Sequence, residues 1–235
     1  MDAVTVGLDI GTTSIKAVAV DASGKVLGRA RLPHRVLVPA PDRLEHDAAQ
    51  AWKRNPRRAL RSVAAHHPRA VAVAAMVPSL TAVDRRGRPL TAGLLYGDDR
   101  GRPDGPASGP APAPGTGGAE VAGFLRWAAR TAPEAVGFWP AQAVANRSLG
   151  GAPAVDMAVA YTADPLYGPG GWDPGLCRAC GVSVQQLPAV ALPGAPIGRV
   201  DGDGPLRAAG SVAVWCEQLV AGASLLGDVH VICGT

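Results

Sequence analysis

Val4-Thr5-Val6-Gly7-Leu8-Asp9-Ile10-Gly11-Thr12-Thr13-Ser14-Ile15-Lys16 is the stretch on which the fold turns. Residues 4–9 alternate in polarity and are rich in β-branched side chains, which predicts a strand. Gly11-Thr12-Thr13-Ser14 reads as a turn and residues 15–20 as a second strand. Asp21-Ala22-Ser23-Gly24 reads as a second turn and residues 25–31 as a third strand. Three strands joined by tight turns make an antiparallel meander.

The first turn is also the strongest chemical signal. Gly11 and three small hydroxyl residues let backbone N–H groups and Oγ atoms close around phosphate oxygens, because a nest of N–H groups favours anions. Asp9, at a strand end beside that nest, suits a hydrated Mg²⁺, which takes oxygen ligands and keeps several waters. Lys16 either adds a cation for phosphate or points to solvent from the second strand. The plainer alternative is an ordinary hairpin with a Gly-Thr turn.

Outward from the meander, a Pro-rich extended run reaches Pro41. Asp47 then reads as the N-cap of a helix running to about residue 65, with Ala48, Ala51, Trp52, Leu60 and Val63 near helical spacing. Residues 70–75 form a short, continuously apolar segment that fits a buried parallel strand. Residues 80–83 and 90–96 flank the polar turn Asp84-Arg85-Arg86-Gly87, as in a further hairpin. The stretch 101–118 holds five prolines among Gly, Ala and Ser, the composition of a flexible surface insertion. Helices are predicted over 119–131 and 141–149, the second stopped by Gly150-Gly151. Residues 156–205 read as short helices and loops, with Trp172-Asp173-Pro174 as a helix start. A helix over 211–226 and a strand over 229–233 lead to Gly234-Thr235.

With 235 residues, 47% of them hydrophobic, the chain can bury a substantial core. No apolar run reaches the roughly 18 residues of a membrane span, and the N-terminus lacks a secretion-signal pattern. The expectation is a cytoplasmic protein with no membrane partner. A net charge of +4 and a pI near 9.1 raise the question of nucleic acid. Only three of the 23 basic residues are lysines, however, and the arginines are interspersed with acids. The cluster Lys53, Arg54, Arg57, Arg58 and Arg61 reads as the wet face of a helix, so no nucleic-acid partner is expected. Cys177-Arg-Ala-Cys180 has CxxC spacing, but a zinc site needs a second ligand pair nearby and none follows. These cysteines read as structural or incidental.

From these residues the chain resembles the FGGY carbohydrate kinases, which include xylulokinase, gluconokinase and glycerol kinase. The Asp9-to-Lys16 hairpin and Asp21-Ala22-Ser23-Gly24-Lys25-Val26 are similar to the family's first two turns. Glu45-His46-Asp47 followed by Trp52 resembles its "E-x-D … W". Ala82-Val83-Asp84 with Gly87-Arg88-Pro89-Leu90 resembles "V-x-x-D-x-x-G-x-P-L". Tyr96-Gly97-Asp98-Asp99-Arg100 resembles "W-x-D-x-R", with tyrosine for tryptophan. Val155-Asp156, Trp172-Asp173, Gly181-Val182 and Leu187-Pro188 follow in the family's order.

The resemblance implies an actin-like ATPase (ribonuclease H-like) α/β fold, a mixed sheet with an antiparallel three-strand start and flanking helices. It implies phosphoryl transfer from ATP, with Mg²⁺, to a hydroxyl of a small-molecule sugar or polyol. By this carry-over Asp9, Gly11, Thr12, Thr13, Ser14 and Lys16 bind phosphate, and Asp9 serves the metal. Met76, Pro78, Ser79, Asp98 and Arg100 lie at the sugar. Pro78 stands where many members carry the histidine of Gly-Gln-Met-His-Gly, which removes a donor. The family's catalytic aspartate, about 22 residues before the Gly-Thr, aligns with Ala213, so no catalytic base is intact; Glu217 is a possible substitute under a shifted alignment. Residues 1–235 thus resemble the N-terminal, sugar-binding domain, with the C-terminal nucleotide-binding domain missing as a partner. A chain of this kind is poorly active or inactive alone. The competing expectation is a non-catalytic actin-like sugar-binding module or pseudokinase fragment. Actin- or chaperone-type ATPases share the hairpin but leave Tyr96-to-Arg100 and Trp172-Asp173 without a role.

Overall fold

A computed structural model describes residues 3–102, 117–200 and 204–207. The meander forms as expected: β1 (Thr5–Ile10), β2 (Ser14–Val20) and β3 (Val26–Pro33) pair antiparallel in sequence. Along β2 and β3 the register runs from Ser14 opposite Pro33 to Ala19 opposite Gly28, with an irregularity before Val20 meets Val26. After the two-residue strand β4 (Glu45–His46), a π-helical stretch, Ala49–Arg54, continues as α1 (Asn55–Ser62). Pro56 accounts for the wide first turns, since it has no N–H and its ring crowds the carbonyl four residues back. Asp47 caps this helix, its Oδ1 accepting the Gln50 N–H at 2.9 Å. The predicted single helix to residue 65 therefore appears in pieces, with a 3₁₀ turn at Ala64–His66 after α1 ends. Arg54, Arg57, Arg58 and Arg61 are exposed along it.

Strand β5 (Ala70–Ala75) pairs parallel to β1, with Thr5 opposite Ala70 through Ile10 opposite Ala75. Its Val71, Val73 and Ala75 are buried while Ala70, Ala72 and Ala74 are half-buried, so the strand alternates rather than being equally covered on both faces. Strands β6 (Ser79–Val83) and β7 (Gly93–Leu95) are antiparallel, shorter on the second side than the predicted 90–96. Gly93 is fixed by packing: a Cβ there would come within 2.4 Å of the Trp52 indole.

Beyond residues 103–116, α2 (Gly117–Thr131) and α3 (Ala141–Ser148) fall where the apolar spacing put them, with Gly150 at φ 103° stopping α3. Between them β8 (Gly137–Trp139) extends the β4-β7-β6-β8 sheet. Strand β9 (Ala154–Asp156), α4 (Met157–Tyr161), the hairpin of β10 (Tyr167–Gly168) and β11 (Gly171–Trp172), and α5 (Pro174–Ala179) follow. Strand β12 (Ala189–Ala191) pairs parallel to β9. Strands β13 (Pro196–Val200) and β14 (Gly204–Arg207) complete a mixed six-stranded sheet ordered β13-β14-β5-β1-β2-β3. The segment 156–205 thus holds strands that its sequence did not announce. The expectations for residues 211–226 and 229–233, and for Ala213 and Glu217, lie outside the described residues.

One core joins Val6, Leu8, Ile10, Ile15, Val71 and Val73 of the first sheet to Trp52 and to Val144 of α3. A second forms under α2, where Phe124, Leu125 and Ala128 meet Leu80, Phe138, Cys177 and Cys180. The CxxC cysteines are free, buried thiols of that second core. Among the described residues no helix is long and apolar enough to cross a membrane.

Candidate functional site

The turn between β1 and β2 closes with the Gly11 N–H donating to Ser14 O at 3.0 Å. Thr13 is exposed and Thr12 half-exposed at its tip. Asp9 and Lys16 face each other across the ladder, with Lys16 Nζ 3.6 Å from Asp9 Oδ2. Lys16 therefore reaches across the ladder to Asp9, with its side chain largely exposed. Ser14 is placed differently from its neighbours: it is buried, and its Oγ accepts from Arg31 Nε at 3.1 Å.

Thr12 is where distant motifs meet. Its Oγ1 is hydrogen-bonded to the Tyr96 hydroxyl at 2.9 Å. Its carbonyl lies 2.7 Å from His46 Nε2, and the neighbouring Gly11 carbonyl 2.9 Å from His34 Nε2. Trp52 Nε1 donates to His46 Nδ1 at 3.0 Å. Burial first, then the nearby His34, pushes the His46 imidazole down to about 4 against the opposing bond to Thr12. Burial likewise lowers His34. The sequence singled out neither His34 nor the histidine of Glu45-His46-Asp47 as a site residue. An imidazole six residues before a buried tryptophan was the only signal there.

The Tyr96-to-Arg100 segment is held by charge. Asp98 Oδ1 accepts the Arg100 N–H at 2.9 Å and Arg100 Nε at 2.7 Å; its Oδ2 accepts Arg100 Nη2 at 2.6 Å and the Leu44 N–H at 2.7 Å. Arg100 Nη2 also donates to Glu45 Oε2 at 2.9 Å, and its guanidinium lies 4.8 Å over the Trp127 ring. The Asp98 side chain is 0% exposed and that of Arg100 7%. Burial alone would raise the Asp98 carboxyl, but the bonds from Arg100 and Leu44 outweigh it and hold it low. The Gly97 N–H donates to Glu120 Oε1 from α2, whose carboxyl burial pushes up.

Met76, Pro78 and Ser79 form the link from β5 to β6, with a cis Val77–Pro78 bond. Ser79 Oγ donates to Met76 O at 3.2 Å and accepts the Ala141 N–H at 3.1 Å, capping α3. The Met76 N–H extends the β1 pairing by donating to Ile10 O. Of the five residues expected at a sugar, Met76, Ser79 and Asp98 are buried and make internal contacts, and Arg100 is committed to two carboxylates.

The donor set near the turn suits Mg²⁺. Among the described residues no group of three His, Cys, Asp or Glu side chains is placed to hold a metal. A partly exposed carboxylate, Asp9, 3.6 Å from a largely exposed lysine, matches the way Mg²⁺ uses one or two carboxylates beside waters and phosphate oxygens.

Solved sugar kinases share this architecture, which is that of the actin-like ATPases. The xylulose kinase of Lactobacillus acidophilus, solved with a bound ligand, superposes with a TM-score of 0.77 at 16% identity, over 94% of this chain and 50% of that one. The glycerol kinase of Plasmodium falciparum, solved with ADP, gives 0.74 at 16% identity, over 90% and 48%. At these identities the likeness is one of fold. In sequence, 46 residues are 44% identical to a glycerol kinase of Nocardia farcinica, covering 20% of this chain and 9% of that protein. Residues 4–103 match the FGGY family of carbohydrate kinases, N-terminal domain, and it is that stretch of the chain that is similar to the family. The chain spans about half the length of the solved kinases it matches.

Proposed function

We propose that this chain supplies the phosphate cradle and the sugar-side wall of a carbohydrate kinase, transferring a phosphoryl group from MgATP to a sugar or polyol hydroxyl. The observation that carries it is the convergence at Thr12 of three separated motifs: the β1–β2 turn, Glu45-His46 and Tyr96. Phosphoryl transfer needs positioning and charge neutralisation more than covalent help from protein. Thr12 and Thr13 N–H groups would receive phosphate oxygens, Asp9 would hold Mg²⁺ against them, and Lys16 would add positive charge. Mg²⁺, when bound, neutralises charge on the phosphates. In this reading residues 1–235 form one wall of the cleft, and a second domain supplies the adenine pocket, in keeping with solved relatives of about twice this length.

A non-catalytic sugar-binding module or pseudokinase is the second reading. The internal commitment of Asp98, Arg100 and Ser79 favours it, as does the alignment that puts Ala213 at the base position. Calorimetric titration of the chain with MgATP and with pentoses and polyols separates the two. Kinase ancestry with a working cradle requires MgATP uptake that Asp9→Asn weakens about tenfold or more. Sugar uptake without nucleotide leaves the module, and unchanged MgATP binding by Asp9→Asn removes the metal role given to Asp9. Ala213→Asp should raise phosphorylation by about 10²–10⁴-fold if a base is what the chain lacks.

A further inference from the structure

The Gly11, Thr12 and Thr13 carbonyls of the β1–β2 turn are taken by two histidine residues. His34 Nε2 meets Gly11 O, His46 Nε2 meets Thr12 O, and the His34 backbone N–H donates to Thr13 O at 3.0 Å. In a planar trans peptide the C=O of one residue and the N–H of the next point in opposite directions. Drawing the Gly11 and Thr12 carbonyls onto the imidazoles therefore turns the N–H groups of Thr12 and Thr13 the other way.

The ring protons are specified as well. A carbonyl only accepts, so each Nε2 must carry hydrogen. For His46 the tautomer is set a second time, because Trp52 Nε1–H can only donate and needs a bare Nδ1. Both nitrogens of His46 are then spent, and its side chain is fully buried. His34 lies edge-on to His46 at 4.6 Å between ring centroids, with its Nδ1 buried and, among the described residues, without a hydrogen-bond partner. A proton on that nitrogen would be an unsatisfied buried donor, so a neutral ring is the state that fits. Both Nε2–H groups are spent on the turn's carbonyls, so neither is left to touch a ligand through it.

We propose that His34 and His46, with Trp52 orienting His46, are positioning residues that preset the outward N–H groups of Thr12 and Thr13 for an anion. The proposal rests on reading the turn as a phosphate cradle. It gives the buried histidines a task that hydrophobic side chains of similar volume would not perform.

His46→Phe keeps a ring in the space and removes both hydrogen bonds, whereas His46→Gln keeps an N–H at the distance of Nε2. In the full chain, the Thr12 and Thr13 amides would be followed by NMR, first for hydrogen exchange and then on titration with tripolyphosphate. The expected result is faster exchange at both amides in His46→Phe, tripolyphosphate affinity reduced about tenfold, and recovery to within about threefold in His46→Gln. Exchange and affinity unchanged in His46→Phe would overturn the proposal, and so would equal loss in both variants, which marks simple packing. If the unsubstituted chain takes up no tripolyphosphate, the cradle reading fails, and amide exchange alone decides whether the histidines order the turn. His34→Phe carries the same comparison at Gly11 should His46→Phe not fold.

Discussion

The turn at Gly11–Ser14 and the segment at Tyr96–Arg100 touch through one hydrogen bond, yet they are held by opposite means. Neutral imidazoles hold the first by its carbonyls. Charges hold the second, with Asp98, Arg100 and Glu45 closed on one another and on backbone N–H groups. A buried ion cluster satisfied from within is a strut, because no charge is left over for a ligand without loss of the support. A turn whose Gly11 and Thr12 carbonyls are held from behind by imidazoles leaves the opposite, N–H side of those peptides facing away from the support, and the rings add no negative charge that would repel an anion. On the proposed reading, support and reception are thus divided between two neighbouring segments.

The largest break in this comparison should come from Arg100→Ala. It leaves Asp98 and Glu45 buried without their cation, and the cost of stranding a buried charge is about 3–5 kcal/mol. Urea denaturation should show it, and Arg100→Lys should recover little, since an ammonium cannot fork between Nε and Nη2 partners. Second comes acid. With His46 held to about 4 in the fold against an ordinary 6.5, the unfolded chain takes a proton that the folded chain refuses. Stability is full above about pH 6.5 and falls as pH drops toward 4, by up to about 3 kcal/mol. Denaturation midpoints at a series of pH values should show that slope, and His46→Gln should flatten it. Third, Ser79→Ala removes the cap of α3 and should cost about 1 kcal/mol, read as a lower thermal midpoint. The smallest effect belongs to Tyr96→Phe: a half-exposed hydroxyl contact with Thr12 is worth about 0.5–1 kcal/mol or less. If Tyr96→Phe were to destabilise as much as Arg100→Ala, the division between strut and receiver would be wrong.

The meander, the parallel strand after it and the two long helices were legible in the sequence because each carries its own period or its own turn. The strands β8, β9, β12 and β13 were not. Each is three to five residues long, too short for alternation to stand out, and β8, β9 and β12 take their pairing from partners far along the chain. The site divides in the same way. Asp9 and the hydroxyl turn suggest a phosphate site by local composition, whereas His34 and His46 contact the turn through carbonyls that any sequence would supply. Asp98 and Arg100 were legible as a motif, but their mutual burial was not, because it depends on Leu44, Glu45 and Trp127 arriving from elsewhere. Ser79 shows the same limit: a hydroxyl near a cleft looked like a ligand group, and it caps a helix 62 positions away.

The pairing of β2 with β3 has a consequence for insertions. His34 follows Pro33, which stands opposite Ser14 at the very end of that ladder. The third strand is therefore a ruler, and its zero is the Asp21–Gly24 turn at the far end of the sheet. A side chain moves to the opposite face with each step of register, so one residue gained or lost there would carry His34 out from behind Gly11 and bring Pro33 or Arg35 in its place. The irregularity between Ala19 and Val20 is then a calibration mark: it sets the count by which a remote surface turn fixes what lies behind the chain's most chemical four residues.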